Sequence, residues 1–537
     1  MSVETWDYIV IGAGSAGCAV AARLSENAGS RVLLLEAGPS DRNIWIHLPI
    51  GYYRTFVDER VNWKYETEPE PYLDNRRIYW PRGKTLGGSS SINGLIYIRG
   101  VASDYDYWRQ LGNKGWGWQD VLPIFRQVER NVRGEDEFHG AGGVLGVEEP
   151  RWRNALSDAY LAAALQAGIR RNPDFNGAKQ EGAGYYQLTE WGGRRCSAAR
   201  AYLQPARHRG NLRILTNALT EKIIVEHGRA SGVRYRVGET EHVAKANREI
   251  VLCGGAVNSP QLLLLSGIGP AAHLREVGVP VVHDLRGVGE NLHDHLQVKS
   301  VYRATQAETY NDFTKTLLGK AKMGLEWALK RSGPLTVGGG LVGVFARTRP
   351  ELADPDIQLH FTPWSTEAVG TTLHPFPGFS VVSNQSRPQS RGRLRLKSPN
   401  ARDKPSLLAN YLAEEIDRTT AVASLKLMRR IAGQPALQPW IAEEINPGPA
   451  IDNDEELLAY TRQVSGSIYH PVGTCKMGSD HDPMAVVDER LRLRGVPGLR
   501  VADASIMPQV VSGNTNACCI MIGEKAAAMI SEDRRAA

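Results

Sequence analysis

The clearest apolar pattern stands at the start of the chain. Tyr8-Ile9-Val10-Ile11 is a short buried-strand run. Ala19-Val20-Ala21-Ala22 with Leu24 gives an apolar helix face, and Val32-Leu33-Leu34-Leu35 is a second strand run. Between the first strand and the helix lies Gly12-Ala13-Gly14-Ser15-Ala16-Gly17. Strand, glycine turn, helix and strand within residues 6–36 predict a βαβ unit, hence a parallel sheet with both faces covered. From about 39 to 150 the periodicity fades and Gly, Pro, Trp and Tyr become frequent. So long an irregular stretch is uncommon unless it serves a function. Strand patterns return at 212–215, 222–225, 233–237 and 249–252, with Gly228 and Gly238 placed for short hairpin turns. Gly254-Gly255 precedes an apolar helical run at 261–265, residues 298–450 mix strands with helices, and the stretch from about 460 is Gly-rich and apolar.

No apolar run approaches the roughly 18 residues of a membrane span. No basic lead or small-residue cleavage site precedes the first strand, so no signal peptide is read. Peripheral contact with a membrane is left open. The 537 residues exceed one ordinary core, which predicts more than one domain. A formal charge of +6, spread along the chain, gives no basic tract for nucleic acid. The six cysteines form no CxxC pair, which argues against zinc, and adjacent Cys518-Cys519 does not make an unstrained disulfide. Buried reduced thiols in the cytoplasm are the expectation.

Gly12, Gly14 and Gly17 fit the G-x-G-x-x-G cradle of a dinucleotide. Gly12 permits the tight turn, Gly14 admits the pyrophosphate and Gly17 lets helix pack on strand. Ser15 opens the helix whose free N–H groups face the phosphates. Glu36, followed by Ala37, ends the second strand where a carboxylate accepts from ribose hydroxyls, which disfavours a 2′-phosphate and therefore NADP. These residues alone do not separate FAD from NAD.

Further segments carry a family resemblance. Gly83-Lys84-Thr85-Leu86-Gly87-Gly88-Ser89-Ser90-Ser91-Ile92-Asn93 resembles the first signature of the glucose-methanol-choline (GMC) oxidoreductases. The run from Gly255-Ala256-Val257-Asn258-Ser259-Pro260-Gln261 to Ser266-Gly267-Ile268-Gly269 resembles the second. Tyr469-His470-Pro471-Val472-Gly473-Thr474, Val501-Ala502-Asp503-Ala504-Ser505 and Gly513-Asn514-Thr515-Asn516-Ala517 resemble the catalytic end, on the bacterial alcohol and choline dehydrogenase branch.

The resemblance implies bound FAD. Its adenosine lies over Gly12, Gly14 and Glu36, with Thr220 near the adenine. Its ring lies against Gly87, Ser90, Asn93, Gly94, Leu95 and Ile96, and Asp503, Ala504, Asn514 and Thr515 complete the flavin site. Ile92 stands where some relatives carry the histidine that links FAD covalently, so non-covalent FAD is expected. It also implies His470 as general base for a primary alcohol that becomes an aldehyde, and Asn514 as hydrogen-bond donor to the substrate oxygen. The expected acceptor is a quinone or similar, with oxygen left open. An aryl- or furan-alcohol oxidase, a choline dehydrogenase and an FAD-containing lyase on the same scaffold remain alternatives.

No metal site is expected: Asn291-Leu292-His293-Asp294-His295 reads as structural and His139-Gly140 as a turn. The expected architecture is α/β, α+β overall. A Rossmann-like FAD domain comes from about 1–150, 190–296 and 460–537, interleaved with a substrate domain from 151–189 and 297–459 on an antiparallel sheet. Pocket residues are sought at 300–380, where Phe361, Trp364, Phe376 and Phe379 occur.

Overall fold

The computed structural model describes residues 4–305, 309–367 and 372–536. Strand Glu4–Ile11 passes through helix Ser15–Leu24 into strand Val32–Leu35, which lies parallel to the first with Tyr8 beside Val32 and Ile11 beside Leu35. The helix is buried along almost its whole length because it is covered from two sides. Under it lies the sheet; over it lies the last helix, Asn516–Ala536. Gly523 allows that approach, since a Cβ there would come within 2.5 Å of the Ala16 carbonyl oxygen.

Leu212–Leu215 extends the parallel sheet on one side and Thr240–Leu252 on the other. The latter is far longer than the segment its apolar pattern marks, because its first half is half-exposed. That half pairs antiparallel with Arg229–Val237, which pairs with Ala218–Glu226. The two hairpins turn at His227-Gly228 and Gly238-Glu239, with φ of 51°, 76° and 58° at His227, Gly228 and Gly238. The last residues of Thr240–Leu252 pair in parallel with Leu499–Val501, so the C-terminal segment returns to the opening sheet.

A second, antiparallel sheet has the order Ile441–Asn446, Leu296–Ala304, Gly378–Gln385, Ile357–Thr362, Val342–Ala346, Gly182–Tyr185. Helices Ala155–Gln166 and Glu415–Ala432 pack on one of its faces. Strand alternation decides which side chains face them. Tyr160 stacks on Phe361 at 4.5 Å and Tyr302 on Phe379 at 4.9 Å, whereas His360, Thr362, Ser380 and Val382 line the central cavity on the opposite face. Of the four aromatic residues sought for the pocket, Trp364 alone lines it. Phe361 and Phe379 belong to the core, and Phe376 lies against His374 and Arg303.

The stretch 39–150 is more regular than its sequence suggests. It holds helices Ala102–Gln110 and Trp118–Val128. Their inward positions are Asp104, Tyr105 and Trp108, then Val121, Phe125 and Val128, a mixture of charge and aromatics that hides the helical period. Among the described residues no helix is long and apolar enough to cross a membrane.

Candidate active site

A cavity of about 560 Å³ opens beyond the carboxyl ends of the parallel strands and continues along the second sheet. Its first wall is the glycine turn. Gly12 has a φ of +96°, and a Cβ there would meet the Cys253 carbonyl oxygen at 2.5 Å. A Cβ on Gly17 would lie 1.9 Å from the Gly12 carbonyl oxygen, so the helix sits directly on the turn. Gly14 faces the cavity, and its nearest neighbour to a Cβ is 3.9 Å away. The Glu36 carboxylate accepts from the N–H groups of Ala13 at 2.9 Å and Gly38 at 2.8 Å. Burial pushes its pKa up to about 7 against the pull of those two donors. Thr220 lines the same region with its buried hydroxyl unpartnered. An open backbone, an anchored acceptor and an unpartnered hydroxyl suit the pyrophosphate and ribose of a dinucleotide.

The serine-rich loop meets this turn face to face. Gly88 has a φ of +52°, and a Cβ there would stand 2.7 Å from Cα of Gly14. Asn93, Gly94, Leu95 and Ile96 line the cavity. Behind them the buried Arg195 guanidinium donates to the carbonyl oxygens of Ser90 and Ile46 and to Oδ1 of Asn93 at 2.6 Å. Burial lowers its pKa to about 9. Asp503 closes the cavity from the C-terminal segment. Its carboxylate accepts from the Gly255 N–H at 2.8 Å, the Ser259 hydroxyl at 2.5 Å and the Ser505 N–H at 2.8 Å. It thereby ties the helix Gly255–Leu265 to the strand end after Val501.

At the second sheet the wall carries His470, Asn514 and His360. His470 follows Tyr469, a non-glycine residue at φ 73°. Asp294 holds this turn. It accepts from the His470 N–H at 2.6 Å, from the Ser467 hydroxyl at 2.5 Å and from the Tyr411 hydroxyl. A chain of hydrogen bonds then fixes the ring protons. His295 Nε2 lies 2.8 Å from the Ser386 carbonyl oxygen and must donate to it. His295 is neutral at physiological pH, burial having lowered its pKa to about 4, so its Nδ1 is an acceptor. His470 Nδ1, 3.0 Å away, donates to it. Burial, together with the neighbouring His295, Arg82 and His360, holds His470 well below the usual histidine pKa, so it too is neutral. Its Nε2 therefore carries a lone pair, 3.2 Å from the amide nitrogen of Asn514. The Asn514 Oδ1 accepts from Gln358 at 3.3 Å, which fixes the amide orientation. An acceptor nitrogen and an amide donor thus stand side by side on a buried wall.

The cavity brings together most of the residues singled out from the sequence: Gly12, Gly14, Ser15, Glu36, Ala37, Asn93, Gly94, Leu95, Ile96, Thr220, His470, Asp503, Ala504, Asn514 and Thr515. Gly17, Gly87 and Ser90 stand behind its wall. The Ser90 hydroxyl is taken up within the protein, donating to the Gly87 carbonyl at 2.6 Å and accepting from the Ala198 N–H at 2.9 Å. Sequence reasoning missed Tyr53, Phe56 and Lys299 in the wall, and His295 behind His470. The segment 291–295 is structural at Asp294, but His295 reaches the site. His139 is no mere turn residue. It is buried, with Nδ1 3.1 Å from Glu129 and Nε2 2.9 Å from Asp174. Burial opposes its charge, but the bonds to Asp174 and Glu129 win and lift its pKa to about 9. All six cysteines are free thiols; Cys519 borders the cavity. Among the described residues no group of His, Cys, Asp or Glu could hold a metal ion.

Residues 6–297 match the N-terminal family model, and residues 388–523 the C-terminal family model, of the GMC oxidoreductases. The chain is 43% identical to an alcohol dehydrogenase [acceptor] of Pseudomonas putida, covering 98% of this chain and 95% of the relative. It is 44% identical to the mitochondrial choline dehydrogenase of Homo sapiens, covering 98% and 90%. Among solved structures, pyridoxine 4-oxidase from Mesorbium loti superposes with a TM-score of 0.88 at 30% identity, covering 97% of this chain and 98% of the other. An FAD-dependent oxidoreductase from Chaetomium thermophilum superposes with a TM-score of 0.90 at 25% identity, covering 99% and 100%.

Proposed function

The chain belongs to the GMC oxidoreductase family, FAD-dependent enzymes acting on CH–OH groups, and from that membership we propose that it oxidises a neutral primary alcohol to an aldehyde. The observation that carries this reading is the His470 Nε2 lone pair held beside the Asn514 amide on the cavity wall. When bound, FAD supplies the hydride acceptor. His470 Nε2 takes the hydroxyl proton, and the Asn514 amide donates to the oxygen as it gains negative charge. His295, through the Nδ1 contact, keeps the His470 lone pair on the cavity side.

In this reading the cofactor is held non-covalently by Gly12, Gly14, Ser15, Glu36, Ala37 and Thr220 at the adenosine end. The serine-rich loop, Asp503, Ala504 and Thr515 hold it at the ring. Two features support the absence of a covalent link. Ile92 offers no nucleophile, and burial pushes the Cys519 thiol up to about 12. The antiparallel sheet is then the substrate side.

The choice of alcohol follows from the charge of that side. Aromatic rings are present: Tyr53 lies edge-on to Trp364 at 6.0 Å, and Phe56 to Tyr469 at 5.2 Å. Rings of this kind can hold a quaternary ammonium. The cavity wall also carries cations: Arg82, which donates to the Tyr469 carbonyl oxygen, and Lys299, whose ammonium donates to the Thr366 and Glu367 carbonyl oxygens. Among the described residues, the carboxylates bordering the cavity are Glu36, Asp503 and Glu367. The first two are bound to backbone N–H groups, and the third pairs with His374 at 2.7 Å. A wall with a lysine and no free carboxylate favours a neutral alcohol over choline. A quinone or similar acceptor then reoxidises the enzyme.

Anaerobic mixing of the holoenzyme with 1-butanol, benzyl alcohol and choline tests this. Bleaching of the flavin absorbance by a neutral alcohol, at least tenfold faster than by choline, is the expected outcome. Faster bleaching by choline overturns the substrate assignment. No bleaching by any of a wide set of alcohols points to a lyase instead.

A further inference from the structure

We infer that the helix Leu317–Lys330 docks the protein onto an anionic phospholipid surface. Its solvent side is apolar. Leu317, Leu318, Leu325 and Leu329 are 84%, 80%, 61% and 73% exposed, and Ala321 and Ala328 are exposed beside them. At about 100° per residue these six positions fall within one arc of about 120°. The opposite side is the one that attaches the helix: Met323 is buried, and the Trp327 indole N–H donates to the Gly193 carbonyl at 2.8 Å. A helix with its leucines turned outward reverses the pattern of an ordinary surface helix and marks an interaction face.

The charges flanking that face identify the occupant. Lys322 and Lys320 are exposed on either side of it, and Lys330 is exposed at the end of the helix. The helix has one carboxylate, Glu326, and it turns away toward Ser332, with its oxygens packed against Gly333. An apolar stripe with a lysine on either side, its one neighbouring carboxylate turned toward Ser332, suits a bilayer of anionic lipid, where leucines enter the acyl boundary and lysines meet the phosphates. A second copy of the chain brings the same lysines and is repelled. The helix also connects to the cavity wall. The turn Pro334–Thr336 packs on it and on Pro49–Gly51, which leads straight into the cavity residues Tyr52 and Tyr53. Docking there sets one wall of the site close to the membrane. The inference does not depend on which alcohol is oxidised.

The test is cosedimentation of the holoenzyme with phosphatidylcholine vesicles, with and without about one-third phosphatidylglycerol. The expected result is partitioning onto the anionic vesicles that weakens as salt rises. The triple variant Leu318→Gln, Leu325→Gln, Leu329→Gln binds them at least tenfold less, with unchanged alcohol turnover in a soluble-acceptor assay. Replacing Lys320, Lys322 and Lys330 by Gln removes the preference for anionic vesicles. Equal binding by wild type and the leucine variant overturns the inference. So does a wild-type dimer, seen by light scattering, that the leucine variant splits without any vesicle binding.

Discussion

Buried histidines in two regions of this molecule, three at the cavity and one away from it, rest in opposite charge states. At the cavity, His295, His360 and His470 meet one another, carbonyl and amide groups, and among the described residues no carboxylate bonds to their rings. Burial keeps all three neutral. Away from the cavity, His139 lies between Glu129 and Asp174, and Arg99 pairs with the same Glu129. There the carboxylates hold the proton on the ring. The histidines of the two regions are alike in burial and differ in partners. Partner chemistry therefore decides whether a buried imidazole is a base ready to accept a proton or a fixed cation.

The comparison breaks most visibly at the base itself. His470→Ala is expected to retain FAD yet slow anaerobic flavin reduction by roughly 100- to 10,000-fold, the worth of general-base assistance. Stopped-flow bleaching measures it, and an unchanged rate removes His470 from the mechanism. Next comes the fixed cation. His139→Gln leaves Glu129 with Arg99 as its one buried cation and takes the imidazolium from Asp174, at a cost of about 3 kcal/mol in unfolding free energy. Turnover by the folded fraction stays the same. Equal stability of variant and wild type contradicts the charge assigned to His139.

The pH dependence sharpens the contrast further. His139 has a folded pKa above its unfolded value, so its contribution is complete below about pH 6.5 and fades as pH rises through about 9. The cavity histidines have depressed pKa values, so theirs is complete above about pH 6.5 and lost as pH falls toward about 4. Together the histidines place greatest thermal stability near about pH 6.5. His139→Gln should flatten the alkaline decline and spare the acid one, as differential scanning fluorimetry across pH reports. In kcat/KM, the acid limb from His470 should lie below pH 6.5. An acid limb at or above about pH 7 is inconsistent with a neutral resting base.

The smallest effect is expected one step back from the chemistry. His295→Leu removes the acceptor for the His470 Nδ1 proton, a loss of roughly five- to tenfold in kcat/KM for one neutral hydrogen bond. His295→Gln, whose amide oxygen can accept that proton, should recover part of it. Equal activity of the two variants marks His295 as packing alone.

The sequence made one end of the site far easier to read than the other. Gly12, Gly14 and Glu36 are legible because turn, helix and strand that place them are neighbours in the chain. His470 and Asn514 stood out through resemblance to a family and through no local pattern. His295 escaped because its role exists only once Leu296–Ala304 pairs with Gly466–Ser467 and brings position 295 against 470. Phe361 and Phe379 misled because a strand buried on both faces gives no alternation of polar and apolar residues to show which side meets the cavity. His139 misled because a glycine-flanked histidine looks like a turn until Glu129 and Asp174 are folded around it.

The return of the C-terminal segment has a consequence for biosynthesis. Helix Ser15–Leu24 gets its outer cover from Asn516–Ala536, and Thr240–Leu252 gets a partner in Leu499–Val501. A ribosome adding about 5–20 residues per second takes on the order of 25–100 s between the first helix and the last. Throughout that interval the alanine-rich face of Ser15–Leu24 emerges without its lid. A nascent chain arrested before residue 499 should accordingly stay bound to chaperones, and release into a soluble form should coincide with translation of the final helix.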